Sequence, residues 1–236
     1  TVNRDDTTVR VWDARSGAET LTLRGHPDGL SSATFSPDGS LVAAGSDDGA
    51  VGVWNVTSGK SLFGRPIGRV GASVTRVAFN PTGTVLAASV WTDENTGRVH
   101  LWRIPSGAPS RRPLTVNGTG RALAFRPGDG LLAVADGRSV RLWNPDTGRP
   151  VGRPFTGSTD DIWCIAFSPD GRTMATGSVD RQVRLWDVTT QTARGTPLVG
   201  HTSQVQDVAF SPDGRSVASA SWDTTVRVWQ VAESPS

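Results

Sequence analysis

A tryptophan closes a short β-branched run at positions 12, 54, 102, 143, 186 and 229, at intervals of 42, 48, 41, 43 and 43 residues. Repetition at this period constrains the fold more than any other property of the chain. Each repeat is one small unit that cannot bury its own faces, so it must stack on copies of itself. The runs before the tryptophan alternate, as in Thr8-Val9-Arg10-Val11-Trp12, Ser139-Val140-Arg141-Leu142-Trp143 and Gln182-Val183-Arg184-Leu185-Trp186. Alternation over five residues predicts a strand. A second signature precedes each run at a near-constant interval: Phe35-Ser36-Pro37-Asp38-Gly39, Phe79-Asn80-Pro81-Thr82-Gly83, Phe167-Ser168-Pro169-Asp170-Gly171 and Phe210-Ser211-Pro212-Asp213-Gly214. The stretch from Phe125 to Gly130 carries one extra residue. Proline sets φ at the first central turn position and Asp-Gly supplies the permissive ones, so each signature predicts a tight turn between two strands.

Each period therefore holds four strands. In the fifth, strand a is expected at 162–167, b at 173–177, c at 182–186 and d near 196–199. No window shows sustained apolar spacing of helical type. The heptapeptide from Asp6 to Trp12 is identical to that from Asp223 to Trp229, so the chain starts and stops at one point of the repeat. The expected content is two strands, four units of four, and three more, twenty-one in all.

Gly25-His26 and Gly200-His201, the Ser-Pro-Asp-Gly turns, and the pairs Trp12-Asp13 and Trp186-Asp187 together resemble the WD-repeat β-propeller family, in a bacterial-type array. The pair drifts to Trp54-Asn55, Trp102-Arg103, Trp143-Asn144 and Trp229-Gln230. The resemblance implies an all-β fold of four-stranded antiparallel blades in a propeller, with five repeat periods present in a single region over 1–236. A partial blade is expected at 1–25, further blades at about 26–69, 70–115, 116–156 and 157–199, a last blade at 200–231 and a tail at 232–236. It also implies a seven-bladed ring of which this chain is a fragment, the missing blades coming from the rest of a parent chain.

The composition narrows the function. Twenty-four basic and 22 acidic residues leave a net charge of +2, and 23 of the bases are arginine, Lys60 being the single lysine. A nucleic-acid-binding surface through arginine is thus kept as an alternative and disfavoured. No apolar run approaches the ~18 residues of a membrane-spanning helix, so no membrane partner is expected. Cys164 is the only cysteine, which excludes a disulfide within the chain and suits a reducing, cytoplasmic setting. The chain begins without Met, so targeting is unreadable. His26, His100 and His201 are far apart and no metal-ligand spacing occurs, so neither metal nor cofactor is expected. Asn55-Val56-Thr57 and Asn117-Gly118-Thr119 match the glycosylation triplet, which is common by chance.

His201, Ser219, Asp223 and Trp229 resemble, residue for residue, the buried hydrogen-bond network that ties strands together in the family's blades. A serine, histidine and aspartate also suggest a hydrolase, but no nucleophile elbow accompanies them. Other repeats hold incomplete versions, with Ala44 in place of serine beside His26, Asp48 and Trp54, and Ser158 in place of histidine beside Thr176, Asp180 and Trp186. A catalytic set would not decay along an array in this way, and the chain is read as no enzyme. Arg10, Arg141, Arg184 and Arg227 share one strand phase, which predicts packing between blades and ion pairs with a neighbouring blade's aspartate. The acidic pairs Asp5-Asp6, Asp47-Asp48 and Asp160-Asp161 are expected at turns.

Strand a of the last blade departs from period two, with one extra residue between Val205 and Val208. This predicts a β-bulge that turns Gln206 or Asp207 toward one face. The equivalent positions are Ser31, Thr75, Arg121 and Trp163. The residues before the turn aspartates, Asp47, Val179 and Trp222, open on the same face. Trp163 and Trp222 serve no packing role common to all repeats, and exposed tryptophan and arginine anchor interfaces most often. The expected function is a non-catalytic scaffold, sensor or docking module that binds a protein or peptide through Trp163, Trp222, Arg121, Asp161 and Gln206. The remaining alternative is an enzyme using a central channel lined by Ser31, Ser32, Thr75, Arg76, Arg121, Cys164, Gln206 and Asp207. That set lacks a ring of carboxylates.

Overall fold

The computed structural model describes residues 1–2, 7–26, 28–92, 96–110, 112–118 and 120–231, so Asp5, Asp6, Thr119 and the tail 232–236 fall outside the described residues. Twenty-one strands and no helix are found among the described residues. β1 (Val9–Trp12) pairs with β2 (Glu19–Leu23) in a two-stranded sheet. Four antiparallel sheets of four follow in chain order. The first contains β3 (Leu30–Phe35), β4 (Leu41–Ser46), β5 (Ala50–Asn55) and β6 (Gly68–Arg69). The second contains β7 (Val74–Phe79), β8 (Val85–Trp91), β9 (Thr96–Arg103) and β10 (Leu114–Asn117). Next come β11 (Leu123–Phe125), β12 (Leu132–Asp136), β13 (Ser139–Trp143) and β14 (Pro150–Thr156). The last sheet of four has β15 (Ile162–Phe167), β16 (Thr173–Ser178), β17 (Val183–Asp187) and β18 (Thr192–Ala193). A sheet of three closes the series: β19 (Val205–Phe210), β20 (Ser216–Ser221) and β21 (Val226–Gln230). This is the all-β fold of propeller blades that the repeat implied.

The chain divides into two compact units, Thr1–Thr115 and Val116–Ser236. The inner strands of a blade are the most buried, and β16 is the extreme. All six residues of β16 are buried, which explains a sequence of small and apolar residues, Thr-Met-Ala-Thr-Gly-Ser, with no charge. The turn before it carries its own scaffold. Thr173 N–H donates to Ser168 Oγ at 2.9 Å and Arg172 N–H to Asp170 Oδ1 at 3.0 Å. Gly171 takes φ of +68°, where a Cβ would be strained. The Ser168 hydroxyl, which donates to Asp170 Oδ1, and then the Arg172 amide hold the Asp170 carboxyl below its usual range.

Neighbouring blades pack through a notch at a glycine. A Cβ on Gly45 would stand 2.2 Å from Val74 Cγ1 in the first unit. In the second, a Cβ on Gly177 would stand 2.5 Å from both Val205 Cγ1 and Cys164 Sγ. Cys164 is fully buried there, its thiol 3.9 Å from the Val205 carbonyl. Glycine in a strand interior is unfavourable in isolation, and here it lets the next blade's first strand lean in.

The register shifts once at the start of β3, β7, β15 and β19, leaving Ser31, Thr75, Trp163 and Gln206 as the bulged residues. The expected fourth strand of the fifth period needs correction. β18 lies at Thr192–Ala193 against Trp186 and Asp187, and Leu198 makes only an isolated bridge to Val183. Gly195 at φ of +77° and Pro197, which has no N–H, interrupt the extended run between them.

Candidate interaction site

The hydrogen-bond network read in the last blade is complete. Trp229 Nε1–H donates to Ser219 Oγ at 2.8 Å, and the Ser219 hydroxyl in turn lies 2.8 Å from His201 Nε2. His201 Nδ1 lies 2.8 Å from Asp223 Oδ2, which also accepts the Thr202 amide at 2.9 Å. This order of partners assigns the imidazole proton to Nδ1. The Thr225 hydroxyl, followed by the Thr202 amide and His201, holds the Asp223 carboxyl far below the usual carboxylate range. The arrangement has the connectivity of a hydrolase triad. Yet Ser219 is 1 % exposed and its oxygen already accepts the indole N–H, so no substrate reaches it.

The other repeats solve the same problem differently. In the fifth, Trp186 Nε1–H donates to Thr176 Oγ1 at 2.9 Å. Asp180 accepts the Ser158 hydroxyl at 3.1 Å and the Arg184 guanidinium at 2.8 Å. Burial pushes the Asp180 carboxyl upward, but the Thr159 amide and Arg184 outweigh it and its pKa is lowered. In the second repeat, without a serine at 44, Trp54 Nε1–H turns to the Arg24 carbonyl at 3.1 Å. Both ring nitrogens of His26 are buried without a hydrogen-bond partner in good geometry. Burial lowers the His26 pKa, with the Asp48 carboxylate and the Ala44 backbone pulling the other way.

The arginine stripe requires a correction. Arg184 pairs with Asp180 at 2.8 Å, Arg141 with Asp136 at 3.0 Å and Arg10 with Glu19 at 3.8 Å, each partner lying in the arginine's own sheet. Arg141 and Arg184 reach the b–c turn region of their own blade, Asp136 and Asp180, and not a neighbouring blade's aspartate. Arg184 thereby takes over part of the missing histidine's role. The signal was its place four residues after Asp180.

In the second unit three large side chains form one stack: Trp163 at the bulge of β15, Trp222 in the turn after β20, and Arg121, which lies before β11, where the expected bulge is not found. The Trp163 and Trp222 rings lie 5.4 Å apart with their planes at 76°, an edge-to-face pair. The Arg121 guanidinium sits 4.4 Å from the centroid of the Trp163 ring. Three successive blades are thus joined through Trp163, which is half-buried, whereas Trp222 stays 61 % exposed. Asp161 and Gln206 are both half-buried beside these elements. The Asp161 carbonyl accepts the Val179 N–H at 2.9 Å, tying the entry of β15 to the turn after β16. Gln204 was missed by the sequence reading: its carbonyl accepts the Trp222 N–H at 3.0 Å and fixes that turn. Gln204 Oε1 and Gln206 Nε2 are buried without hydrogen-bond partners. In the first unit the same positions carry small polar groups satisfied by the fold. Ser31 donates to the Gly45 and Val74 carbonyls, and Asp47 accepts the Ser73 hydroxyl at 2.8 Å. The aromatic stack is an addition to the blade, not a requirement of it.

At the opposite ends of the strands, a cleft of about 630 Å³ is lined by Arg172, Arg194 and Arg215 together with Asp170, Asp187 and Asp213. Its charges balance one another. No cluster of three or more metal-ligating side chains occurs among the described residues.

Repeated four-stranded blades, bulged first strands and a buried tryptophan network define a protein of the propeller class that presents loops on a rigid scaffold. The chain belongs to the family described as WD domain, G-beta repeat, whose model matches residues 17–55, 148–187 and 192–230. Proteins of this kind are in general non-catalytic interaction scaffolds. The human angio-associated migratory cell protein is 30 % identical over 183 residues, which is 75 % of this chain and 39 % of that protein. Human coronin-7 is 31 % identical over 143 residues, 61 % of this chain and 14 % of its own length. THO complex subunit 3 of Arabidopsis thaliana is 28 % identical over 180 residues, 74 % of this chain and 55 % of that protein. The chain therefore spans less than two thirds of each of these relatives.

Proposed function

We propose that the chain is a docking module whose second unit binds a protein segment at the stack of Arg121, Trp163 and Trp222, with Asp161 and Gln206 at its rim. The observation that carries this is the exposure of Trp222 on top of a packed partner. A tryptophan at 61 % exposure keeps much apolar area in water, and the ring beneath restricts its motion. A large, stiff aromatic surface loses little entropy on binding, which is why tryptophan dominates interface hot spots. A relative named as a complex subunit, THO complex subunit 3, supports a role within assemblies. The saturated state of Ser219, His201 and Asp223 supports a role without catalysis.

Photo-crosslinking tests the reading. A benzophenone amino acid at position 222 is expected to give discrete protein adducts that are lost on Trp163→Ala. The same group at Val151, an exposed position that is not part of the stack, is expected to give none of them. Identical adduct patterns from the two positions would reject the site. Loss of folding in Trp222→Ala would place that residue in the core.

A further inference from the structure

We infer that the segment docked at this stack is proline-rich, held as a polyproline II helix, and carries a basic residue for Asp161. The inference rests on the docking reading above and adds the chemistry of the partner. Three blade tryptophans satisfy their N–H inside the fold: Trp54 donates to the Arg24 carbonyl, Trp186 to Thr176 and Trp229 to Ser219. Trp163 and Trp222 do not. Neither indole N–H has an acceptor among the described residues, and that of Trp163 is not sealed from solvent. The site therefore presents two rings, 5.4 Å apart and nearly perpendicular, each with a free donor.

The backbone beside the stack is already engaged. The Asp161 carbonyl accepts the Val179 N–H, the Gln204 carbonyl the Trp222 N–H and the Gly137 carbonyl the Ile162 N–H. A partner is thus met by side chains and not by a strand ladder. Free donors beside apolar rings select its chemistry. A helix keeps its carbonyls in its own ladder, and an ordinary extended segment brings N–H groups that need acceptors of their own. A polyproline II helix turns its carbonyls outward, its prolines lack the N–H, and its shape is set before binding. Aromatic-lined grooves take such segments for these reasons.

The charge at the rim sets the second requirement. Asp161 is half-buried, its Oδ1 3.8 Å from where a Cβ on Gly137 would stand. Its carboxylate has no hydrogen bond or ion pair among the described residues, and Arg138 and Arg181 in the adjoining turns do not pair with it. The other acids at this end are committed. Asp136 accepts Arg141 and the Asn117 amide, Asp180 accepts Arg184, and Asp223 is taken by His201 and Thr225. Asp160 caps the Asp161 amide and Asp207 the Val208 amide. A partly buried carboxylate without a partner gains most from a cation brought to it. Arg138 and Arg181 are exposed, so water and salt screen their repulsion of that cation.

The experiment measures a panel of short synthetic proline-rich peptides, with one arginine at successive positions, on the intact chain by calorimetry. Matched peptides carry glutamate for the arginine or alanine for the prolines, and a random peptide display against the same chain runs beside them. The proline-arginine peptides are expected to bind best and to weaken about tenfold or more on Trp222→Ala. Trp222→Phe, which keeps a ring and removes the N–H, is expected to lose less. Asp161→Asn is expected to erase the preference for arginine over glutamate. Display that selects proline-free peptides dependent on Trp222, or alanine peptides that bind as tightly as the proline ones, would overturn the proline-rich partner and leave the docking site standing. Glutamate peptides that match the arginine ones on the unaltered chain would overturn the basic residue. If no peptide, synthetic or displayed, depends on Trp222, the docking site falls as well. Melting curves of each variant separate lost binding from lost folding, and Trp222→Phe provides the second variant if Trp222→Ala unfolds.

Discussion

Ser219 shows how one buried hydroxyl decides the quality of a blade. It joins the Trp229 indole to His201, so its removal leaves two buried groups without partners. Ser219→Ala is expected to cost roughly 1–3 kcal/mol in denaturant unfolding, the range for a buried group left unpaired. The converse change belongs to Ala44, which occupies the same strand position beside His26. Ala44→Ser supplies the hydroxyl that the His26 ring lacks and is expected to raise the melting temperature. Both aspartates brace their own turn, Asp48 through Ser46 and Ala50 and Asp223 through Thr225, but Asp223 also holds the His201 ring and the Thr202 amide whereas no hydrogen bond links Asp48 to the His26 ring, so Asp223→Ala should lower that temperature more than Asp48→Ala. Equal losses in the aspartate pair, or no gain from serine at 44, would show that the network does not set blade stability.

Among elements, β16 tolerates least, all six of its residues being buried. Gly177→Ala introduces a methyl group 2.5 Å from the Val205 side chain and from Cys164 Sγ, both in packed surroundings. Overpacking of this kind costs about 1–3 kcal/mol, and urea unfolding of the variant measures it. Gly17→Ala, at a turn where a Cβ would meet nothing, carries only the strain of its positive φ and serves as the comparison. Strands a, b and c were legible in the sequence because burial on both faces and the Phe-Ser-Pro-Asp-Gly turns leave strong, local marks. The bulge was legible for a related reason, since a break in period two at Val205 and Val208 has few other solutions. The fourth strand was not, because β18 is exposed and only two residues long. Nor were the arginine partners. Strand phase says which side Arg184 and Arg141 occupy, whereas their rotamers decide how far along the strand they reach. The meeting of Trp163 with Trp222 followed from two separate local marks, and the repeat placed Arg121 beside them, but its stacking on the Trp163 ring depends on side-chain direction, which the sequence does not mark.

For the molecule as a whole, acidity should weaken the fold in two stages. Burial lowers the pKa of His26 and, with Arg98 nearby, that of His100. The unfolded chain then takes up protons near pH 6.5 that the folded chain refuses, so stability falls as pH drops below that value. A second loss follows as pH falls below about 4. Asp38 is held down to about 2 by the hydroxyls of Ser36 and Ser40, and Asp223 lies lower still. Thermal melts from pH 8 to pH 3 are expected to show both stages, and His26→Leu to diminish only the first. With three histidines and no tyrosine, few other groups contribute near neutrality. The glycine notch also gives the molecule a built-in chemical clock. Its single thiol is sealed at the seam between two blades, so an alkylating reagent meets Cys164 only when β15 and β19 part. The rate at which that one sulfur is modified therefore follows how often the seam stands open, and at high reagent concentration the opening rate itself, and a partner that bridges the blades above it should slow the reaction.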